Sequence, residues 1–336
     1  MAPVGRRLAA GPFTAAPARP SMLTHGSGID AHPRRPDAIA GRREARMQTP
    51  APVDYARAHS VEQALDLLDQ HDGEARLIAG GHSLIPMMRL RIAQPECVID
   101  INDLTELDYI RVTGDHLSIG ALTRHKTVLA SPVIGEHYAI LHDAERVIAD
   151  PIVRNRGTVG GSLCQADPAE DLSAVLAALR AEAVIRSRTG SRVVPVRELD
   201  DGPYQTVLED AEILTEVRIP IRPGAGSAYE KVERRTGDWA VAAVGAYLVL
   251  DGGVVSDVGI ALAALGVEHG CATEAEDYLR GREITDQTLA EAGRLAAAAS
   301  RPSPDQRGPV VYKRHLADEL TRRALRRAAD RAQGRI

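Results

Sequence analysis

Aromatic side chains are scarce. They make up 3% of the 336 residues, with Trp239 the sole tryptophan and Phe13 the sole phenylalanine. Each aromatic that does occur is therefore less easily explained as core filler. Lysine is nearly absent as well, present only as Lys126, Lys231 and Lys313, so the basic charge is almost all arginine. Cysteine is limited to Cys97, Cys164 and Cys271, far apart and without a C-x-x-C pair. That spacing argues against an iron–sulfur cluster or a structural zinc in this chain, and three scattered thiols fit a reducing compartment. No run approaches the eighteen or so apolar residues of a membrane span. The net charge is −5, which supplies no basic field for nucleic acid or an anionic membrane. There is no H-E-x-x-H, no Walker loop, and no G-x-G-x-x-G after a strand, which excludes the usual zinc-protease, P-loop and Rossmann readings.

What is present begins with Leu77-Ile78-Ala79-Gly80-Gly81-His82-Ser83-Leu84, an apolar strand run that stops at two glycines, followed by helical spacing over 84–90. Paired glycines let backbone N–H groups approach a ligand without intervening Cβ atoms and can form a nest for a phosphate. Thr158-Val159-Gly160-Gly161-Ser162 repeats that chemistry downstream. Two such loops can hold the two phosphates of one dinucleotide, although each could also be a tight turn.

The first 46 residues are rich in Pro, Ala, Gly and Arg without periodicity, and read either as a disordered tail or as sequence ahead of a true start at Met47. Arg6-Arg7 suggests a twin-arginine signal, but Gly11, Pro12 and Pro17 break the apolar segment that would have to follow. From Met47 on, Ser60 and Gln63 form a capping box for a helix carrying Val61, Ala64, Leu65 and Leu68. Strands are expected at 76–79 and 97–101 in a β-α-β crossover, and a hairpin turns at Thr113-Gly114-Asp115. A short capped helix is expected over 123–129. One longer helix follows Ser131-Pro132, with Ile134, Tyr138, Leu141 and Ala144 on its apolar face. Asp171 is expected to cap a helix over 172–181. A hairpin at 182–196, a strand at 213–219 and a linker at 222–226 complete the first region. The last third reads as strands at 228–234, 241–250 and 254–262, then helices at 273–279, 285–299 and 310–332. Strands followed by helices indicate the α+β class, an antiparallel sheet backed by helices. The Arg-rich face of the final helix is expected to be solvated or to face another subunit.

Three further candidates have two readings each. Asp171 could cap its helix, accept from ribose hydroxyls, or do both. Lys231 and Trp239 fall within one tract, Tyr229 to Ala240. They could serve a flavin ring, by charge and by stacking, or be a strand charge and a core residue; both readings stay open. His82 could be a covalent flavin attachment point or a polar loop residue.

Together the tracts resemble the flavin subunits of the molybdenum hydroxylases, nearest to the medium subunits of aerobic carbon monoxide dehydrogenases. The resemblance rests on Ala79-Gly80-Gly81-His82-Ser83-Leu84-Ile85-Pro86-Met87-Met88-Arg89-Leu90-Arg91 and on Val98-Ile99-Asp100-Ile101. It rests equally on the run from Arg154 to Ser162, on Ala166-Asp167-Pro168 with Asp171, on Tyr229-Glu230-Lys231, and on Thr236-Gly237-Asp238-Trp239-Ala240. It implies a two-part FAD-binding domain of the PCMH type over 47–223, followed by a carbon monoxide dehydrogenase flavoprotein C-terminal domain over 227–330. It also implies non-covalent FAD, which weakens the attachment reading of His82. By matching position the FAD contacts would be Leu77 to Leu84, Thr158 to Ser162, Asp171, Lys231, and Ile213 or Leu214, with Ile148 as in the xanthine dehydrogenase branch and Trp239 as an aromatic neighbour. The implied role is electron transfer in the cytoplasm, or at the inner face of the membrane. Electrons would come from a [2Fe-2S] small subunit fed by a large subunit that carries the molybdenum cofactor, in a dimer of heterotrimers, and would leave to quinone or NAD. The alternatives are a free-standing FAD-dependent oxidoreductase, the flavin subunit of a xanthine, aldehyde or N-heterocycle dehydrogenase, and a cofactor-free scaffold.

Overall fold

A computed structural model describes residues 49–267 and 270–336. The expectations for the first 46 residues lie outside the described residues.

The chain enters through β1 (Asp54–Arg57), α1 (Val61–Gln70), β2 (Ala75–Ile78), α2 (Leu84–Arg89) and β3 (Cys97–Asp100). β3 lies between β1 and β2 and runs parallel to both, which is the expected crossover geometry. α1 starts where the cap chemistry dictates. Ser60 Oγ accepts from the Gln63 N–H at 3.1 Å, and the Gln63 side chain reaches back to the His59 N–H at 2.8 Å. Its stripe of Val61, Ala64, Leu65 and Leu68 is buried with Ile99 and Leu104.

The middle region contains β4 (Ile110–Thr113), β5 (His116–Gly120), α3 (His125–Ala130), α4 (Pro132–His137), α5 (Ala139–Val147), α6 (Pro151–Arg156), α7 (Val159–Gln165) and α8 (Asp171–Ala178). β6 (Glu182–Ser187), β7 (Gly190–Pro195) and β8 (Ile213–Pro220) close it. These five strands form one antiparallel sheet in the order β4-β5-β8-β6-β7. Several expectations change here. The short helix begins at His125 without a side-chain cap, because the Thr123 hydroxyl donates to Tyr109 O at 3.0 Å instead. The single longer helix is two, broken at Tyr138, whose backbone is extended. The buried Tyr138 hydroxyl donates to Pro220 O at 2.6 Å and accepts from Arg222 N–H at 3.1 Å, a tie to the end of β8 that turns this residue out of helical register. The cap of α8 is Glu170, which accepts from Leu172 and Ser173 N–H at 2.9 and 2.6 Å, and Asp171 is released for other partners.

β9 (Gly226–Val232), β10 (Ala242–Asp251) and β11 (Val254–Ala263) follow, then α9 (Thr273–Leu279), α10 (Asp286–Ala299) and α11 (Val310–Ala332). The sheet β11-β10-β9 is antiparallel and turns at Gly252-Gly253, both with positive φ. The molecule is α+β. Helices cover both faces of this sheet. One face packs with α9, α10 and α11, while Tyr229, Ala243, Tyr247 and Ala261 join the core of the middle region. Gly259 permits that second contact, since a Cβ there would lie 2.0 Å from Ala178 O. Residues 222–226 do not form a free linker. Gly226 is buried in β9 under α11, with its Cβ direction blocked by Ala328 O at 1.9 Å. Arg222 is pinned to Leu179 O at 3.0 Å and Asp257 at 3.2 Å. The arginine face of α11 is likewise only partly solvated. Arg327 and Arg331 reach the buried Asp143 on α5 at 2.8 and 2.6 Å and thereby bind the two halves together.

Candidate functional site

A cleft of about 960 Å³ lies between these layers. β2 ends in Ala79-Gly80-Gly81-His82-Ser83, which forms one wall. Gly81 takes φ +77, a conformation that disfavours any residue with a Cβ. Gly80 is needed for space, because a Cβ there would lie 2.5 Å from Arg156 O and 2.8 Å from Gly157 Cα. The first glycine loop is thus seated on the turn that leads into the second. No acceptor among the described residues takes a hydrogen bond from the N–H groups of Gly80, Gly81, His82 or Ser83. Four adjacent donors without protein partners on a cleft wall suit an anion such as a pyrophosphate. His82 is exposed, with Nδ1 3.1 Å from Gly80 O.

The second glycine pair is built differently. Thr158 is the N-cap of α7, and Gly160 and Gly161 lie in its first turn rather than in an open nest. Its N–H groups are already engaged: Val159 with Thr123 O at 3.0 Å, Gly160 with Ala121 O at 2.8 Å, Gly161 with Thr158 Oγ1 at 3.1 Å, and Ser162 with Thr158 O at 3.0 Å. The Ser162 hydroxyl is the polar group that this loop brings to the cleft, and it stands 3.2 Å from His125 Nε2. His125 Nδ1 is in turn 3.0 Å from Glu145 Oε1. Sequence reasoning missed His125 and Glu145. The available signal was a charged residue on the apolar side of a helix, at Glu145 beside Leu141 and Ala144. The arrangement has the order of a hydrolytic triad, but the loop's N–H groups are taken and leave no oxyanion hole.

Leu77 to Leu84, Ile148, Thr158, Gly160, Gly161, Ser162, Asp171, Ile213, Leu214 and Trp239 all line the cleft. Trp239 is 45% exposed, so it is no core residue. Its loop rests on Ala149 through Gly237, φ +78, whose Cβ direction is closed by Ala149 O at 2.4 Å. Val159 and Lys231 stand outside the lining. Val159 is buried under the loop. Lys231 lies behind Asp171, with Nζ 2.9 Å from Oδ2, 3.2 Å from Val147 O and 3.4 Å from Glu233. Tyr229 donates to the other Asp171 oxygen at 2.6 Å. Burial pushes the Asp171 carboxyl above its ordinary value, against the pull of Lys231 and Tyr229.

Residues 49–222 match the FAD binding domain in molybdopterin dehydrogenase, and residues 227–328 match the CO dehydrogenase flavoprotein C-terminal domain. The chain belongs to the flavoprotein subunits of the molybdenum hydroxylases. It is 39% identical over 280 residues to the carbon monoxide dehydrogenase medium chain of Hydrogenophaga pseudoflava, covering 83% of this chain and 98% of that one. It is 35% identical over 280 residues to the glyceraldehyde dehydrogenase medium chain of Sulfolobus acidocaldarius, covering 83% and 99%. The solved Hydrogenophaga pseudoflava carbon monoxide dehydrogenase that lacks the Mo-pyranopterin moiety superposes with a TM-score of 0.81 at 40% identity, over 84% of this chain and 99% of that one. In this flavoprotein subunit the four unpartnered N–H groups and the long cleft fit a dinucleotide. Among the described residues there is no cluster of metal-ligating side chains, and no helix is long and apolar enough to cross a membrane.

Proposed function

We propose that this subunit holds FAD in the cleft and relays electrons, and that the substrate is oxidised on another chain. The observation that carries this reading is the run of free N–H groups from Gly80 to Ser83, set beside a cleft that, among the described residues, holds no cluster of metal-ligating side chains. FAD supplies a carrier that accepts electrons singly and delivers them singly or in pairs. Residues 77–84 would hold the pyrophosphate with help from Ser162, and Ile148, Ile213 and Leu214 would supply apolar contact. Trp239 would cover the open side. Asp171 would face the cofactor with Lys231 as its buried counter-charge, so that the positive charge of Lys231 serves the carboxylate rather than the flavin ring. His82 needs no covalent bond in this reading. The domain division is proposed at 223–227.

The partners are a large subunit bearing the molybdenum cofactor and a [2Fe-2S] small subunit, arranged as a dimer of heterotrimers in the cytoplasm, with quinone or NAD as acceptor. The relatives act on carbon monoxide and glyceraldehyde by their names, consistent with a substrate chosen outside this subunit. The test is anaerobic reduction of the purified complex followed at the flavin absorbance. The flavin should bleach when the substrate of the large subunit is added, and the FAD-loaded chain alone should not respond to the same compound. Bleaching of the isolated chain would favour a free-standing oxidoreductase.

A further inference from the structure

The pair formed by Glu145 and His125 is buried, with the carboxylate fully enclosed and the imidazole 3% exposed; His125 borders the cleft, and its Nε2 lies 3.2 Å from Ser162 Oγ. Glu145 Oε2 has no hydrogen-bond partner. A proton between Glu145 Oε1 and His125 Nδ1 is required at 3.0 Å whichever atom carries it. The remaining question is whether a second proton sits on His125 Nε2. If it does, Nε2–H donates to Ser162 Oγ, and the serine is free to point its own O–H into the cleft. If it does not, Nε2 is an acceptor, the Ser162 O–H turns back to it, and the cleft meets oxygen lone pairs. An anion is held by the first arrangement and repelled by the second. This matters because the backbone donors of the same loop are already occupied.

We propose that the buried Glu145–His125 pair sets which way the Ser162 hydroxyl faces, and so couples the grip on a phosphate group in the cleft to uptake of one proton from solvent. The inference rests on the FAD reading and goes beyond it, by assigning His125 and Glu145 as positioning residues that act through Ser162. The groups facing the pair come from several elements: Glu170 and Asp171 at the start of α8, Arg154 on α6, and Lys231 on β9, which neutralises Asp171. Burial by itself would lower the imidazole, but Glu145, with smaller contributions from Glu170 and Asp171, holds it above its ordinary value. The proton is therefore lost as pH rises through that raised value, so the phosphate grip weakens toward alkaline pH.

The test is FAD binding to the full chain, read by quenching of flavin fluorescence from about pH 6 to about pH 9, a span that brackets a raised imidazole. Calorimetry in buffers of different ionisation enthalpy counts the protons taken up. The native chain should lose affinity by about tenfold or more as pH rises, the effect of one charge-assisted hydrogen bond, and should take up protons on binding. Ser162→Ala should bind more weakly at low pH, with a flat profile and no proton uptake, while Ser162→Thr should restore the slope. His125→Gln should be flat as well. A native profile without slope, or a slope unchanged in Ser162→Ala, would overturn the coupling while leaving the FAD reading intact. Failure of the native chain to bind FAD at any pH would overturn both.

Discussion

Replacing Lys231 with methionine should cost about 3–5 kcal/mol, because it leaves a buried carboxylate without its counter-charge. Lys231 and Asp171 are 3% and 8% exposed and 2.9 Å apart. Methionine fills much of the lysine stem's volume, so lost packing is a small part of the effect. The cost has a defined pH dependence. Asp171 already holds its proton more tightly than an ordinary aspartate because burial outweighs the attraction of Lys231 and Tyr229, and removing Lys231 raises it further. A carboxyl raised by folding is penalised where it must ionise; the penalty shrinks as pH falls below its folded value and is gone below its unfolded value. Urea unfolding should therefore show a large deficit for Lys231→Met at about pH 7.5 and a smaller one at about pH 5. Adding Asp171→Asn should recover most of the lost stability, since removing both charges is far less costly than orphaning one. A single-variant loss below about 1 kcal/mol, the level of an exposed pair, would contradict the burial of this pair.

Gly80→Val should damage the site more than the fold. The new side chain would start 2.5 Å from Arg156 O and 2.8 Å from Gly157 Cα, both backbone atoms that cannot rotate away. Overpacking of this kind costs about 1–3 kcal/mol, and relief requires the loop at 79–83 to separate from the turn at 156–157. That shift would move the four unpartnered N–H groups. Loss of even one hydrogen bond to a charged phosphate should weaken FAD binding by about tenfold or more. Equilibrium dialysis with FAD, beside a melting curve of the cofactor-free chain, separates the two effects. An unchanged dissociation constant would show that the loop does not hold the cofactor.

Much of this was legible in the sequence because it depends on neighbours along the chain. Ser60 with Gln63, the turn at Gly114 and the strand running into Gly80-Gly81 are local patterns with local causes. The misread features depend on partners far away in the chain. Tyr138 breaks its helix for a carbonyl 82 residues on. Asp171 gives up its cap for Tyr229 and Lys231, 58 and 60 residues on. The second glycine pair reads as a nest until Ala121 and Thr123 are seen to occupy its N–H groups. Arg327 and Arg331 look like surface charge until α11 is laid across β9 onto Asp143. Glu145 and His125 carry no motif, and only the packing of α3 on α5 brings them together.

One FAD is proposed to bind this chain in the cleft bounded by Gly80 to Ser83, Ser162 and Trp239. The measurement that tests it most directly is a titration of the flavin-free chain with FAD, following the fluorescence of Trp239, the sole tryptophan, together with the flavin absorbance of the gel-filtered product. Quenching of Trp239 should saturate at one FAD per chain, and the flavin should stay with the protein. Undiminished Trp239 fluorescence and no retained flavin would contradict it.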